Sequence, residues 1–235
     1  MALLAFVLSF LVIVANVSAV TSDSVQRYYY EPFPLKPGMT VMQVGLSFTL
    51  LPVPLVENEY PTPAAEFQIK HGLSEMWSLN GVLSTNIFST LLHGGPQWNT
   101  AIDRTSIGIC GHVGGFYGFI STEGQFDNNS AYAVVGIPML RIGYRLDAFA
   151  LSTTFAASYV FVSESSVSGL EAPGPMHTFN DLFCTIALEQ PFLRKSQLAL
   201  GISLSYARTP YQTWLLYNTI DQYLFLPEFF FAVQL

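Results

Sequence analysis

The chain has 235 residues, of which 51% are hydrophobic and only 11% charged, with a formal net charge of −7. Soluble domains carry about 25% charged residues, so much of this surface is not built to face water. The acidic balance and the lack of any Lys/Arg cluster exclude nucleic acid as a partner, because phosphate binding needs grouped cations. Cys110 and Cys184, without C-x-x-C spacing, make neither a disulfide framework nor a zinc site.

The N-terminus reads MALLAFVLSFLVIVANVSAVTSDS. An apolar run from Ala2 to Val14, broken only by Ser9, leads to small residues at Val17 and Ala19 and then to a polar stretch. This is the layout of a secretory signal peptide over residues 1–19. No Lys or Arg precedes the run, and the competing reading is an uncleaved anchor helix, since about 20 apolar residues span a bilayer. After residue 20 no apolar run of membrane-helix length escapes Pro, Gly or polar interruption. A chain this apolar without spanning helices has the composition of a transmembrane β-barrel, in which only alternate residues touch lipid.

Alternation supports that reading in chain order. From Thr40, Met42, Val44, Leu46, Phe48 and Leu50 face one way; Gln43, Gly45, Ser47 and Thr49 face the other. In Ala64–Gly72, Ala65, Phe67, Ile69 and His71 oppose Glu66, Gln68 and Lys70, and a short Gly-bearing turn follows. Trp77–Phe88 places Trp77, Leu79, Gly81, Leu83, Thr85 and Ile87, mostly apolar, against Ser78, Asn80, Val82, Ser84, Asn86 and Phe88, mostly small and polar. The next stretch, LLHGGPQWNTAID, reads as a long loop. In RTSIGICGHVGGFYGFIST, Arg104, Ser106, Cys110 and His112 oppose Ile107 and Ile109, and Gly114-Gly115 reads as a turn between two short strands, with one long kinked strand as the alternative. AYAVVGIPMLRIGY is apolar on both faces and interrupted by Pro138, and FNDLFCTIALE is ambiguous. Near residue 150, Phe149, Leu151, Phe155, Tyr159 and Phe161 oppose Ser152, Thr154 and Ser158. Near residue 200, Leu198, Leu200, Ile202, Leu204 and Tyr206 oppose Gln197, Gly201, Ser203 and Ser205. Short connections alternate with longer polar or Pro/Gly-rich ones, as between periplasmic turns and external loops, and the count is about ten strands, with about eight as runner-up.

The chain ends YLFLPEFFFAVQL, with Tyr223, Phe225, Pro227, Phe229, Phe231, Val233 and Leu235 on one face and Leu224, Leu226, Glu228, Phe230, Ala232 and Gln234 on the other. Such a strand closes a barrel by pairing with the first, since an open edge in lipid leaves backbone groups unsatisfied. The signal peptide, the alternating strands and this aromatic-rich final strand resemble bacterial outer-membrane β-barrel proteins over about residues 40–235, in the small OmpW- or OmpX-like size class, with no subfamily distinguishable. Such chains most often end in an aromatic residue; this one ends in Leu235. The resemblance implies an all-β, antiparallel up-and-down barrel over 40–235, a periplasmic segment over 20–39, residence in the cell outer membrane, lipid as surroundings, and recognition of the last strand by the outer-membrane assembly machinery. A secreted β-sandwich binding protein is the soluble alternative.

Catalytic motifs are absent: there is no G-x-S-x-G and no H-E-x-x-H, and the histidines at 71, 93, 112 and 177 show no metal-ligand spacing. No enzyme activity, cofactor or metal is expected. Glu66, Lys70, Arg104, Arg141, Glu189 and Glu228 are placed on the inner face, with His112 beside them as a hydrogen-bonded interior residue. They form either the lining of a narrow pore for small solutes or a paired ionic network that plugs a closed barrel. Trp98, Tyr211, Trp214 and Tyr217 are expected in external loops, as partner anchors or as part of an interfacial aromatic girdle. The functions in view are a narrow outer-membrane pore, a non-conducting structural or adhesive barrel or complex subunit, and the secreted sandwich. The signal layout predicts that the mature chain begins near Val20; recovery of Met1 by N-terminal sequencing of membrane-extracted protein would replace the signal with an anchor.

Overall fold

A computed structural model describes residues 28–53, 60–86, 88–122, 126–167, 170–173, 177–192, 196–208 and 222–235. The signal segment therefore lies outside the described residues. The strands are β1 (Thr40–Leu51), β2 (Tyr60–Gly72), β3 (Trp77–Thr85), β4 (Ser89–Ile102), β5 (Thr105–Thr122), β6 (Phe126–Arg145), β7 (Ala150–Val167), β8 (Leu170–Pro173), β9 (Thr178–Phe192), β10 (Ser196–Ala207) and β11 (Leu224–Gln234). They form one sheet in the order β6-β5-β4-β3-β2-β1-β11-β10-β9-β7-β8, and β6 also pairs with β7, which closes it. The four-residue β8 extends the far end of β7, while β9 pairs along the rest of it, so the two share one position and the barrel has ten staves. A single closed sheet rules out the two-sheet sandwich.

Register sets the size of this barrel. Residue partners traced from Arg145 through Glu189, Gly45 and Leu91 return to β6 at Ala133, 12 residues up the same strand. Ten staves with that stagger tilt by about 40° and enclose a backbone cylinder of about 10 Å radius, for a rise of about 3.3 Å per residue and a strand spacing of about 4.8 Å.

The two faces divide as period two requires. On β1, Met42, Val44, Leu46 and Phe48 are exposed, while Gln43, Ser47 and Thr49 are buried. Large apolar side chains stay exposed around the whole circumference, among them Phe67, Leu79, Leu92, Ile109, Leu140, Phe155, Ile186, Leu204 and Phe231. Water would tolerate no apolar belt of this extent; lipid requires one. Aromatic residues edge it. Trp77 pairs with Trp98 near the short turns, and at the other end Tyr206 stacks on Tyr223 with ring centroids 5.2 Å apart.

Three expectations about the middle of the chain are corrected. Gly114-Gly115 is no turn: β5 runs unbroken from Thr105 to Thr122. The stretch around LLHGGPQWNTAID is no loop but β4, which pairs with β3 and β5. Its Gly and Pro content masks the alternation, yet Gly94 and Gly114 let backbones approach where a Cβ would sit 2.7 Å from the Asn80 carbonyl oxygen or from His93 Cα. Uniting β5 removes one stave and β4 adds one, so the count of ten stands. The connection after β3 is accordingly short, and the contrast of short and long connections is weaker than expected. β6 is apolar on both faces because its inward Val135, Ile137 and Met139 pack with Cys110, Ala156 and Val160.

Phe231 faces out and Gln234 faces in. Phe231→Lys should cost about 2–4 kcal/mol at a lipid-facing position, and Gln234→Lys should be milder. Heat-sensitive gel shift of refolded protein measures the folded fraction, and equal tolerance at both positions would contradict the assignment of faces.

Candidate functional site: a plugged lumen

A barrel of this radius leaves space on its axis. Its inward residues are mostly short, as with Ser47, Ser78, Ser106, Ser152, Ala187 and Ala199, and cannot meet across the middle. The chain fills the gap with its own residues 28–35. Lys36–Met39 make a turn in which Met39 N–H donates to the Lys36 carbonyl at 3.0 Å, with Gly38 at φ +78°, a conformation that suits glycine. Gly38 N–H donates to the Gly72 carbonyl and Gly72 N–H to the Met39 carbonyl, both at 2.8 Å, which moors the turn to the rim where β2 ends. The chain reverses there: β1 climbs the wall, and the preceding residues run inside it.

Contacts on all sides place this segment on the axis. The Glu189 carboxylate on β9 accepts from the backbone N–H groups of Tyr29 (2.7 Å) and Glu31 (2.9 Å). Lys70 on β2 donates to the Glu31 carbonyl at 3.0 Å, and Gln68 donates to the Tyr30 hydroxyl at 3.0 Å. Arg145 on β6 clamps the Glu31 carboxylate, with Nε at 3.2 and 3.1 Å from its oxygens, and lies over the Phe33 and Tyr28 rings at 4.1 and 5.3 Å. Tyr30 packs on Phe230 of β11, with centroids 5.0 Å apart. The wall is shaped to match: a Cβ on Gly108 of β5 would approach Pro32 Cβ to 2.7 Å, and one on Gly143 of β6 would approach Glu31 Cγ to 2.8 Å and Pro32 Cδ to 2.9 Å. Glu31 and Lys70 are both 0% exposed. Burying these ions is offset only because each has a partner. The chain is a plugged membrane β-barrel.

Of the residues expected on the inner face, Glu66, Lys70, His112, Arg141, Glu189 and Glu228 do project inward. They do not form one cluster. Lys70 and Glu189 hold the plug; Glu66 accepts from Gln68 at 2.8 Å, and Glu228 accepts from Thr49 at 2.7 Å further toward the long connections. Arg104 is corrected: it lies in the two-residue turn between β4 and β5, exposed, 2.8 Å from Asp147. The alternation of β5 begins one residue later, at Thr105. Trp98 is likewise no loop residue but sits on β4, on the side of the aromatic girdle. Tyr211, Trp214 and Tyr217 lie outside the described residues.

Three features escaped sequence reasoning. Tyr28–Leu35 gave no periodic signal, because a plug pairs through side chains and not through a ladder. His93 and His112 meet, with Nδ1 atoms 2.8 Å apart across β4 and β5, because inward positions on neighbouring staves are brought together by a register that spacing does not reveal. A polar ladder joins Asn80, Gln97, Asn99 and Ser78 on the inner wall. Among the described residues no three His, Cys, Asp or Glu side chains gather as a metal site would require.

No protein-family model matches the chain, and no curated protein matches its sequence. Solved structures resemble it in shape. The translocator domain of the autotransporter NalP from Neisseria meningitidis is 10% identical, with 85% of this chain and 88% of that one covered at a TM-score of 0.43. The COG4313 outer membrane channel from Pseudomonas putida F1 is 9% identical over 90% of this chain and 100% of that one, at a TM-score of 0.42. The KdgM porin in complex with disordered oligogalacturonate is 6% identical over 83% and 98%, at 0.37. Likeness at this level distinguishes no subfamily.

Glu189→Ala removes two charge-assisted bonds from the plug, each worth about 1.5–3 kcal/mol, and should leave the barrel wall folded. Limited chymotrypsin digestion of refolded protein should then cut at Tyr28–Phe33 in the variant and spare the wild type.

Proposed function

We propose that this protein is a narrow outer-membrane pore for small solutes, closed at its short-turn mouth by its own residues 28–35. The observation that carries the reading is the mismatch between wall and filling. A ten-stave cylinder of about 10 Å backbone radius is wider than its short inward side chains fill, and the remainder is occupied by a segment whose bonds at residues 29–31 all run through side chains. Such a segment can leave without breaking the barrel's ladder.

The apolar belt, the closed antiparallel sheet and the signal-like N-terminus support the outer membrane as its place, and the β11 strand that completes the sheet is the element its assembly machinery would read. The lack of any nucleophile–base pairing in the sequence motifs supports a non-enzymatic role. A second reading, a non-conducting structural barrel, is favoured by the same plug, whose buried ions hold it tightly.

Planar-bilayer recording separates the two. Wild-type protein should show little or no steady conductance, while a variant lacking residues 28–35, and Glu189→Ala, should conduct steadily. Variants that remain heat-modifiable barrels and stay silent would establish the structural role.

A further inference from the structure

We propose that the lumen wall above the plug holds a binding site for one small monovalent anion of carboxylate or halide size, centred on Arg141. The proposal names a solute class for the pore described above and rests on that reading only for its transport consequence.

Arg141 projects inward from β6 and is 4% exposed. Its Nε and Nη1 have no hydrogen-bond partner, and its Nη2 has only the Met139 thioether sulfur at 4.0 Å. A thioether is a weak acceptor, so neither edge of the guanidinium fork has the anionic partner that its geometry suits. The ring of Tyr29 lies 5.8 Å from its Cζ, which is a cation–π contact and supplies no counter-charge. Removing a guanidinium from water without an anionic partner costs several kcal/mol, so a buried one calls for an anion.

The surrounding groups can donate. The Tyr29 hydroxyl at the tip of the plug, Ser106 Oγ and, in the tautomer with its proton there, His112 Nε2 on β5 are all buried, and Ser106 Oγ and His112 Nε2 have no hydrogen-bond partner. Gly108 is the residue paired with Arg141 on β5, and the inward residues on either side of it along that strand are Ser106 and Cys110, with His112 next beyond Cys110. Every carboxylate near this zone is committed elsewhere: Glu31 to Arg145, Glu189 to the Tyr29 and Glu31 N–H groups, and Glu66 to Gln68 on a stave four positions round the wall. Lys70 and Arg145 add two further cations to the plugged section, and none of the carboxylates of Glu31, Glu66 and Glu189 hydrogen-bonds Arg141.

The test is binding, read without conduction. Refolded full-length protein in detergent is heated in sodium formate, sodium chloride or sodium gluconate at equal ionic strength, and the midpoint of the heat-sensitive gel shift is recorded. Formate and chloride should raise the midpoint saturably relative to gluconate, a much bulkier anion, because a ligand bound only by the folded state stabilises it. Arg141→Met should abolish the rise, and in gluconate it should unfold no earlier than wild type, since it removes a buried unpaired charge. No anion-specific rise in wild type, or an undiminished rise in Arg141→Met, overturns the proposal. Should Arg141→Met not refold, Tyr29→Phe and His112→Leu answer through the formate concentration giving half the rise. That concentration should increase several-fold in each, and an unchanged value in both overturns the site. Unplugged variants that stay silent, with the formate rise intact in wild type, would sink the pore reading and keep the anion site; unplugged variants that conduct, with no rise in wild type, would do the reverse.

Discussion

The pairing of β1 with β11 is the constraint on which the rest depends. Seven residue pairs from Gln43↔Gln234 to Thr49↔Glu228 join the two ends of the sheet. Without them, two strand edges would face hydrocarbon with their backbone groups unsatisfied. Closure also fixes the stagger at 12 residues, once the registers of the other pairs are given. Strand number and stagger together determine tilt and radius. The width of the lumen, and hence the need to fill it, follows from one seam.

That need explains the least regular part of the molecule. A wall whose inward residues are small cannot pack against itself at this radius. The chain therefore inserts a segment of its own, rich in aromatic rings at Tyr28, Tyr29, Tyr30 and Phe33. Rings fill volume, but the backbone between them brings N–H and C=O groups into a space with no ladder to receive them. An unpaired buried backbone group is costly. The wall answers with a carboxylate for the N–H groups, Glu189, and an ammonium for a carbonyl, Lys70. Those charges are present because the plug's backbone is. They are thus a docking apparatus first, and their sum sets the field that any solute in the lumen meets.

The alternating staves could be read from the sequence wherever both faces carried distinct chemistry, as in β1, β10 and β11. Reading failed where one face lost its signature. In β4 the run HGGPQ removes side chains from both sides, so period two vanishes although the strand does not. In β5 two adjacent glycines imitate a turn, while their neighbours Val113 and Phe116 still obey the alternation. In β6 the inner face is apolar because it packs a local cluster, which hides the contrast between lipid and lumen. The inner-face residues are legible individually: parity places Lys70, and the cost of a charge in lipid places Arg141 and Glu189 on staves whose faces do not contrast. Their partners are not, because Glu189 meets Tyr29 across 160 positions and Arg145 meets Glu31 across 114, and only closure of the barrel makes those separations short.

The two ends of the lumen differ in what they ask of a solute. Toward the short turns, Glu31 is fully enclosed and clamped by Arg145, and any passage there requires the segment to leave as a unit. Toward the long connections, Glu66 and Glu228 face the lumen with amide and hydroxyl donors already on them, so their charge is partly spent before a solute arrives. Between the two lies Arg141, where the guanidinium nitrogens have no acceptor stronger than a thioether. A field of this kind admits a small anion past weakened carboxylates and holds it against the tip of the plug. An anion bound there would neutralise the charge that Tyr29 now only stacks against. The same contact that defines the site therefore couples its occupancy to the seating of the segment that closes the barrel.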